Sequence, residues 1–591
     1  MNDMDELITL ITDKSRIMYR ERSCFKNEAE YAEVLKGVFK IYDGSEGVIE
    51  NTRHLSVKTL AFVELIYPFL LYATNIVSQD CDLLYITEHA MDDLECLLLE
   101  KLSKLSSQAF FFEFSNLIDI NRRTNGFDSF LEDTEAVADG INKSIIYDEF
   151  VNSFFTKGWR DFFLEYSILT VLMSVLTLQW IQMVNKFTAA LHKDYDEIGS
   201  LLSNEGMKGK IVSIKTADQN GLSPEDITLC ITFGNDDKLI YKARNLEVDR
   251  SFQTFLNWIS NQSKSLPLKS MRMINTDHYG WQEYVPQAAC LSEEEVNRFY
   301  IRAGMLLGVL YVFGSSDMHC LNLIANGEYP VLIDMEALTG SSCDTDVMST
   351  FFLPYYYVMS GGMPEYSNAL GSETFTKSIR KELHWEHVNT DRMKPVYLHR
   401  EVSPKSVVFH NDKKVFSYQY QEQLLEGFEV IYQYVMNHKK NVLESIAEYF
   451  NSSAVRYYPR VYKGYINAAY NSLLPGFLRS GTDRLSVLRK EIERAAIQNH
   501  HISEEFIFYE LEKLMVNSIP RFHITFMEGT VQELSDVNLA EFHPEAPINI
   551  VKGRLNRFTS SDLEQQKLLI RKAFQDYKTN IRTHETEPYY V

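Results

Sequence analysis

Three stretches of different hydrophobic period follow one another along this chain, and their order limits its fold more than composition does. From residue 1 to about 205, apolar residues recur three and four apart, as in SVKTLAFVELIYPFLLYA and DDLECLLLEKLSKL, which puts them on one face of a helix. Near residue 208 the period shortens. KIVSIKT, DITLCITF and KLIYKA are β-branched and partly alternating, with Ile227, Leu229, Ile231 and Phe233 set against Thr228, Cys230 and Thr232. The Gly234-Asn235-Asp236-Asp237 run predicts a hairpin into the strand that carries Lys242. LEVDRSFQTFLNWIS then reads as a helix and WQEYVPQ as a strand or connector. SEEEVNRFYIRAGMLLGVLYVFG reads as a long helix with a Ser cap and acids in its first turn. Two short strands near LNLIAN and PVLIDM turn around a glycine, and after about residue 350 helical patterns such as QEQLLEGFEVIYQYVMNHKKNVLESIAEYF and SSDLEQQKLLIRKAFQDYKTNI return. The expectation is an α+β, predominantly helical protein. A core at 206–290 (β-rich) and 291–350 is embedded between helical regions at 1–205 and 351–591, with no internal repeat.

Composition narrows what such a chain binds. At 591 residues it is too long for one hydrophobic core, while 45% hydrophobic and 13% aromatic content with only 15 Pro and 26 Gly mark a folded chain. A formal charge of −22 without runs of Lys or Arg disfavours nucleic acid and anionic membrane as partners. The seven cysteines, at 24, 81, 96, 230, 290, 320 and 343, form no CxxC pair. Scattered in this way, they suit a reducing compartment and suggest neither a disulfide framework nor a zinc site. The start, MNDMDELITLITDKSRIMYR, is acidic and lacks a basic, then apolar, signal, so a cytoplasmic location is expected. Tyr166–Val184 is uncharged over a marginal membrane-spanning length, but its Ser, Thr and Gln residues and its charged helical continuation predict a buried helix, not a membrane span.

The chemistry concentrates in GSSDMHCLNLIANGEYPVLIDME, residues 314–336. Asp317 and Asn322 are five apart, and Asp334 lies seventeen beyond Asp317. Kinases use this spacing: one Asp meets the incoming hydroxyl, an Asn at +5 binds metal, and an Asp on a following strand bridges Mg²⁺ to the phosphates. Asn322 and Asp334 are the expected metal ligands, offering the hard oxygens that Mg²⁺ prefers. His319 makes the loop more like the DxHxxN loop of phosphoinositide lipid kinases than an HRD loop, and there it would touch the transferring phosphoryl group. Lys242 is the candidate for neutralising the α- and β-phosphates of ATP. No GxGxxG precedes it, and a phosphate-covering loop would have to come from TADQNGLSPED, residues 216–226, with Gly221 its only glycine. Taken singly, each of these residues also reads as a turn cap, an exposed strand lysine or a hydrogen-bonded loop histidine. Together they carry the order of a two-lobed, lipid-kinase-like core.

These residues, with WQEYV (281–285), LIYKARNLEVD (239–249) and the stretch 300–338, resemble the dehydratase domain of class II lanthipeptide synthetases (LanM). Weaker matches at YSILTVLMSVLTLQW, VRYYPRVYKGY (455–465), NSIPRF (517–522) and SSDLEQQKLLI (560–570) extend the resemblance along nearly the whole chain. It implies a cytoplasmic enzyme that uses ATP and Mg²⁺ to phosphorylate Ser and Thr of a ribosomally made precursor peptide, leader and core, and that can then eliminate the phosphate. It assigns Asp317, His319, Asn322 and Asp334 to phosphorylation, Lys242 to phosphate handling, and Glu283 to the neighbourhood of adenine. The family's elimination residues are an Asp-x-His loop and an RxxxRPT-like segment. Asp218-Gln219-Asn220 is the best match to the first, with Asn220 in place of His. In the second, Arg456 and Arg460 are present as candidate phosphate holders, but Val461 and Tyr462 replace Pro and Thr. The expectation is therefore a peptide kinase first. A full stand-alone dehydratase and an inactive leader-binding scaffold are the alternatives. The family's cyclase domain uses Cys and His zinc ligands, and none of these cysteines forms a Cys…Cys-His set, so no zinc is expected and this chain is not expected to close thioether rings itself. A cyclase cut off, a separate cyclase or other modifying enzyme, and no cyclisation at all stay open.

Overall fold

The uncharged stretch after Tyr166 becomes the helix Ser167–Ile198, and the rest of its surroundings follow from having to cover it. The computed structural model describes residues 3–16, 28–44, 59–125, 144–202, 209–216, 227–340, 344–355, 368–374, 377–495, 504–531 and 544–586, with the short strands 18–19, 22–23, 357–358 and 364–365. Two helices, Ser167–Leu201 with its last turn and Glu293–Phe313, are long and apolar enough to cross a membrane. Their most apolar windows are 89% and 83% buried inside the protein itself. The chain divides into two units, each built from three separate stretches. One comprises Met1–Ala243, Leu383–Leu398 and Pro459–Pro520. The other comprises Arg244–Glu382, His399–Tyr458 and Arg521–Val591.

In the first unit, helices Asp3–Ser15, Glu28–Asp43, Val63–Asp80 and Glu88–Asn125 pack around Ser167–Ile198. A cluster of Tyr42, Phe69, Phe154, Phe155, Trp159 and Phe163 fills the space beside them, its rings tilted, stacked or edge-on at centroid separations in the favourable range. Strands Ile211–Thr216, Thr228–Phe233 and Lys238–Lys242 pair antiparallel, and the expected hairpin closes through Asp236 at φ 66°. Asp93, on the helix Glu88–Asn125, accepts from Ser213 Oγ at 2.7 Å and Ile214 N at 2.8 Å, tying sheet to helices. Arg460 and Glu510 form a fully buried ion pair. The guanidinium Nε lies 2.8 and 3.0 Å from the two carboxylate oxygens, Nη1 donates to Ile492 O at 2.9 Å, and the Tyr465 hydroxyl donates to the same carboxylate. The structure thus commits Arg460 to fastening helices Tyr462–Asn471, Gly481–Arg494 and Glu504–Met515 together, rather than to holding phosphate.

The second unit is organised by two helices that cross at very close range. Glu293–Phe313 begins as expected, with the Ser292 hydroxyl accepting from Glu295 N while Glu295 accepts from Leu291 N. It runs against Gln421–Asn437, glycine to backbone in both directions. A Cβ on Gly304 would sit 1.9 Å from Leu424 O, and one on Gly427 would sit 1.8 Å from Ile301 O. The helix expected over 421–450 is broken at His438 into Gln421–Asn437 and Lys439–Tyr449. Around this pair lie the hairpin of Met273–Asn275 with Gly280–Glu283 and the hairpin of Leu323–Asn326 with Tyr329–Leu332, which turns at Gly327, φ 58°. A third strand pair, Ala454–Tyr457 with Phe522–Thr525, was not foreseen, because each strand is only four residues long and lies in sequence read as helical. The predominantly helical α+β class holds, but strands recur beyond residue 350.

Candidate active site

The helix Glu293–Phe313 delivers the chain to the site and stops at Gly314 in the left-handed region, φ 66°. Arg554, itself buried, fixes that end. Its Nε donates to Tyr311 O and its Nη1 to Thr345 Oγ1 at 2.7 Å, while its guanidinium lies over the Tyr311 ring. The loop that follows alternates. Met318 and Cys320 point into the core, whereas Asp317, His319 and Leu321 face outward to differing degrees. Met318 N donates to Thr350 O, and Ala369 N to Met318 O, so the loop is pinned on both sides. Asn322 closes it, with Nδ2 donating to Asp317 O at 2.9 Å. Ile333 N in turn donates to Asn322 O, so Asn322 and Asp334 stand at the open end of one hairpin.

Burial and the nearby Asp334 carboxylate push the Asp317 carboxyl up to about 7, while Arg456 pulls the other way and Glu336 adds to the rise. Burial also lowers His319, keeping the ring neutral near pH 7. Its Nδ1 accepts from Leu321 N at 3.2 Å, which leaves the proton on Nε2, 3.9 Å from Asp317 Oδ1. Asp334 is held by Arg244, whose Nη2 lies 2.8 Å from Oδ1. The same guanidinium reaches Asp249 at 2.7 Å and Glu336 at 3.6 Å. Burial works against the charge of Arg244, but Asp249, Asp334 and Glu336 hold its pKa above the ordinary value.

Arg456 sits on the strand Ala454–Tyr457, its backbone N donating to Glu336 O at 2.7 Å and its Nη1 lying 3.5 Å from Glu336 Oε1. Across the strand pair it is opposite His523, and Arg521 falls on the same face as His523, two residues earlier. Burial opposes ionisation of Glu336, yet Arg456, Arg521, His523 and Arg244 together hold its carboxyl well below the usual range.

The structure therefore gathers Asp317, His319, Asn322, Asp334 and Arg456 in the second unit. Lys242 ends a strand of the first unit and is buried there. Glu283 ends the strand Gly280–Glu283, its carboxylate 2.7 Å from Arg272 Nε. Asp218, Asn220 and Gly221 lie outside the described residues. Arg244, Glu336, Arg521 and His523 were not singled out from sequence. The alternation of polar Arg521 and His523 with apolar Phe522 and Ile524 was the available signal. Asn368 was missed as well. It is 1% exposed and bridged to His319, and neither its amide N nor its amide O has a hydrogen-bond partner among the described residues.

No group of three His, Cys, Asp or Glu side chains poised for a metal ion is found among the described residues. Asn322 and Asp334 nevertheless offer oxygens of the right kind. With its Nδ2 donated to Asp317, Asn322 has its amide oxygen left for a cation, and Arg244 bonds one oxygen of Asp334. Mg²⁺, which keeps several waters, needs few protein ligands.

A family model described as Domain of unknown function (DUF4135) matches residues 166–525, more than half of the chain. The chain belongs to that family. The DUF4135 match includes every residue of the gathered cluster. The chain is also 27% identical over 440 residues to the lacticin 481/lactococcin biosynthesis protein LcnDR2 of Lactococcus lactis subsp. lactis, an alignment that covers 67% of this chain. It covers 44% of that relative, so the chain spans less than half of the curated protein it matches.

Proposed function

We propose that this chain transfers the γ-phosphate of ATP to Ser and Thr hydroxyls of a ribosomally made precursor peptide, in lanthipeptide-type biosynthesis and in the cytoplasm. The observation that carries this reading is the single outward edge shared by Asp317 and His319, with Asn322 and Asp334 at the open end of the next hairpin. The similarity to a lacticin 481/lactococcin biosynthesis protein supports the peptide as substrate.

In this reading Asp317 orients the hydroxyl and takes its proton. A carboxyl poised near 7 does this better than one near 4, because base strength and ionised fraction are balanced at working pH. Neutral His319 donates from Nε2 to an oxygen of the transferring group. Asn322 and Asp334 would hold Mg²⁺, which when bound neutralises phosphate charge and aligns the transfer. Arg244 fixes Asp334 through its 2.8 Å bond. Lys242 and Glu283 keep the roles toward phosphate and adenine that the resemblance implies. The presence of Arg456 beside Asp317 favours a second reading, in which phosphate is afterwards eliminated to leave a dehydroamino acid.

The test is mass spectrometry of a lanthipeptide precursor peptide containing Ser and Thr, after incubation with this chain, ATP and Mg²⁺. A persistent gain of phosphate mass supports the kinase, and net loss of water supports the dehydratase. Equal modification by the parent and by Asp317→Asn and Asp334→Asn would sink the assignment of the site.

A further inference from the structure

Arg484 is buried to zero exposure in the first unit, yet it forms no ion pair among the described residues. Its Nη1 donates to Ser472 O at 3.1 Å, and its Nη2 donates to Leu514 O at 3.1 Å and to Asn517 Oδ1 at 2.6 Å. The two carbonyls lie at the ends of helices Tyr462–Asn471 and Glu504–Met515, so helix dipoles, and not a full negative charge, face the guanidinium. Its Nε has no hydrogen-bond partner among the described residues, and burial brings its pKa down to about 9. At neutral pH it is still a cation.

Asn517 passes that charge on to a cavity. Arginine only donates, so the contact fixes the carboxamide with its oxygen toward Arg484 and its Nδ2 turned away. Nδ2 has no hydrogen-bond partner among the described residues, and accepting from a cation makes the amide a stronger donor. Asn517 is 9% exposed and lines the cavity with Lys101, Lys104, Leu172, Leu176 and Leu473. Lys104 stands at the exposed rim, its Nζ 5.1 Å from the centre of the Tyr470 ring, and has no ion pair among the described residues. Apart from the amide of Gln179, the polar side chains that line the space offer only donors. The cavity is about 20 Å³, against the ~10–15 Å³ that one water needs, so it admits a group of one or two heavy atoms and not a four-oxygen phosphate.

We propose that this cavity binds a compact monoanion, a halide or the head of a carboxylate, held by Asn517 Nδ2 and the Lys104 ammonium with the charge of Arg484 behind them. The lining comes from the helices Glu88–Asn125 and Ser167–Ile198 on one side and from the stretch 459–520 on the other. An anion seated there fastens that late stretch to the helices made first. The site stands apart from the phosphotransferase reading, and neither requires the other.

Thermal unfolding of the full chain tests it at constant ionic strength, with sodium gluconate, too bulky to enter, replaced stepwise by chloride or by acetate. Replacement should raise the melting temperature saturably, by about 2–4 °C. A rise with chloride alone assigns a halide site, and a rise with acetate assigns one that takes a carboxylate. Lys104→Met, which keeps the stem over Tyr470, should raise the half-saturating concentration about fivefold. Asn517→Gly suits the left-handed backbone there, φ 58°, and should abolish the response. No saturable rise in the parent overturns the proposal, as does a response that either variant leaves unchanged. Should Asn517→Gly fail to fold for want of the Arg484 contact, crystals of the parent soaked in bromide decide. An anomalous peak beside Asn517 Nδ2 supports the site, and a cavity without one overturns it.

Discussion

Asp317 combines two demands that conflict. A half-buried carboxyl pushed up to about 7 by desolvation and by Asp334 is useful as a proton acceptor, and it is costly to the fold once ionised. Its folded pKa lies above the unfolded value, so the unfolded chain binds fewer protons between about pH 4 and 7 and stability falls as pH rises through that window. Asp317→Asn should therefore raise the melting temperature at pH 8 more than at pH 4, while phosphotransfer falls by about a hundredfold or more. In the parent, the phosphotransfer rate should climb with pH to a plateau above about 7. Arg456→Ala removes a cation that lowers Asp317, so it should move that climb to higher pH, readable in a rate–pH profile. Asn368 carries a similar conflict, since burying an amide that has no hydrogen-bond partner among the described residues costs on the order of 1–3 kcal/mol. Asn368→Leu should raise the stability measured by denaturant titration. Asp317, His319, Asn322 and Asp334 could be read from sequence because a short loop and one tight hairpin bring them together locally. Arg244, Glu336, Arg521 and His523 meet only through tertiary packing, from segments far apart in sequence, and no spacing rule announces them.

Among the elements, the crossing of Glu293–Phe313 with Gln421–Asn437 sets the position of the loop that carries Asp317. Its closeness depends on Gly304 and Gly427, each of which would press a Cβ against backbone of the other helix. Backbone cannot yield as a flexible side chain does, so Gly427→Ala should cost about 2 kcal/mol or more of unfolding free energy. The buried Arg460–Glu510 pair makes a sharper case. Arg460→Met leaves a carboxylate stranded at zero exposure and should cost about 3–5 kcal/mol, which thermal unfolding would show. The long helices were legible because many turns repeat the same apolar period. Ala454–Tyr457 and Phe522–Thr525 were not, because four residues give two alternations at most, too few to stand out from neighbouring helical text.

For the molecule as a whole, neither unit is one continuous piece of chain. Within the first, Ser167 Oγ donates to Arg479 O at 3.0 Å, and Lys104, Leu172 and Leu176 line a small cavity with Leu473 and Asn517. Residues 1–243 expressed alone lack 459–520, leave that surface bare, and should bind a hydrophobic dye and melt without cooperativity. Coexpression of 459–520 should restore the transition.

The distribution of the site along the chain also sets a timetable. At ribosomal speeds of about 5–20 residues per second, Asp317 to Asn322 are made roughly 10–40 s before His523. Arg554, which pins the end of the helix leading into their loop, follows later still. A nascent chain thus carries the acids of the site with Arg244 beside them but without Arg456, Arg521 and His523. Such fragments should be silent until the stretch that carries Arg521, His523 and Arg554 has been made.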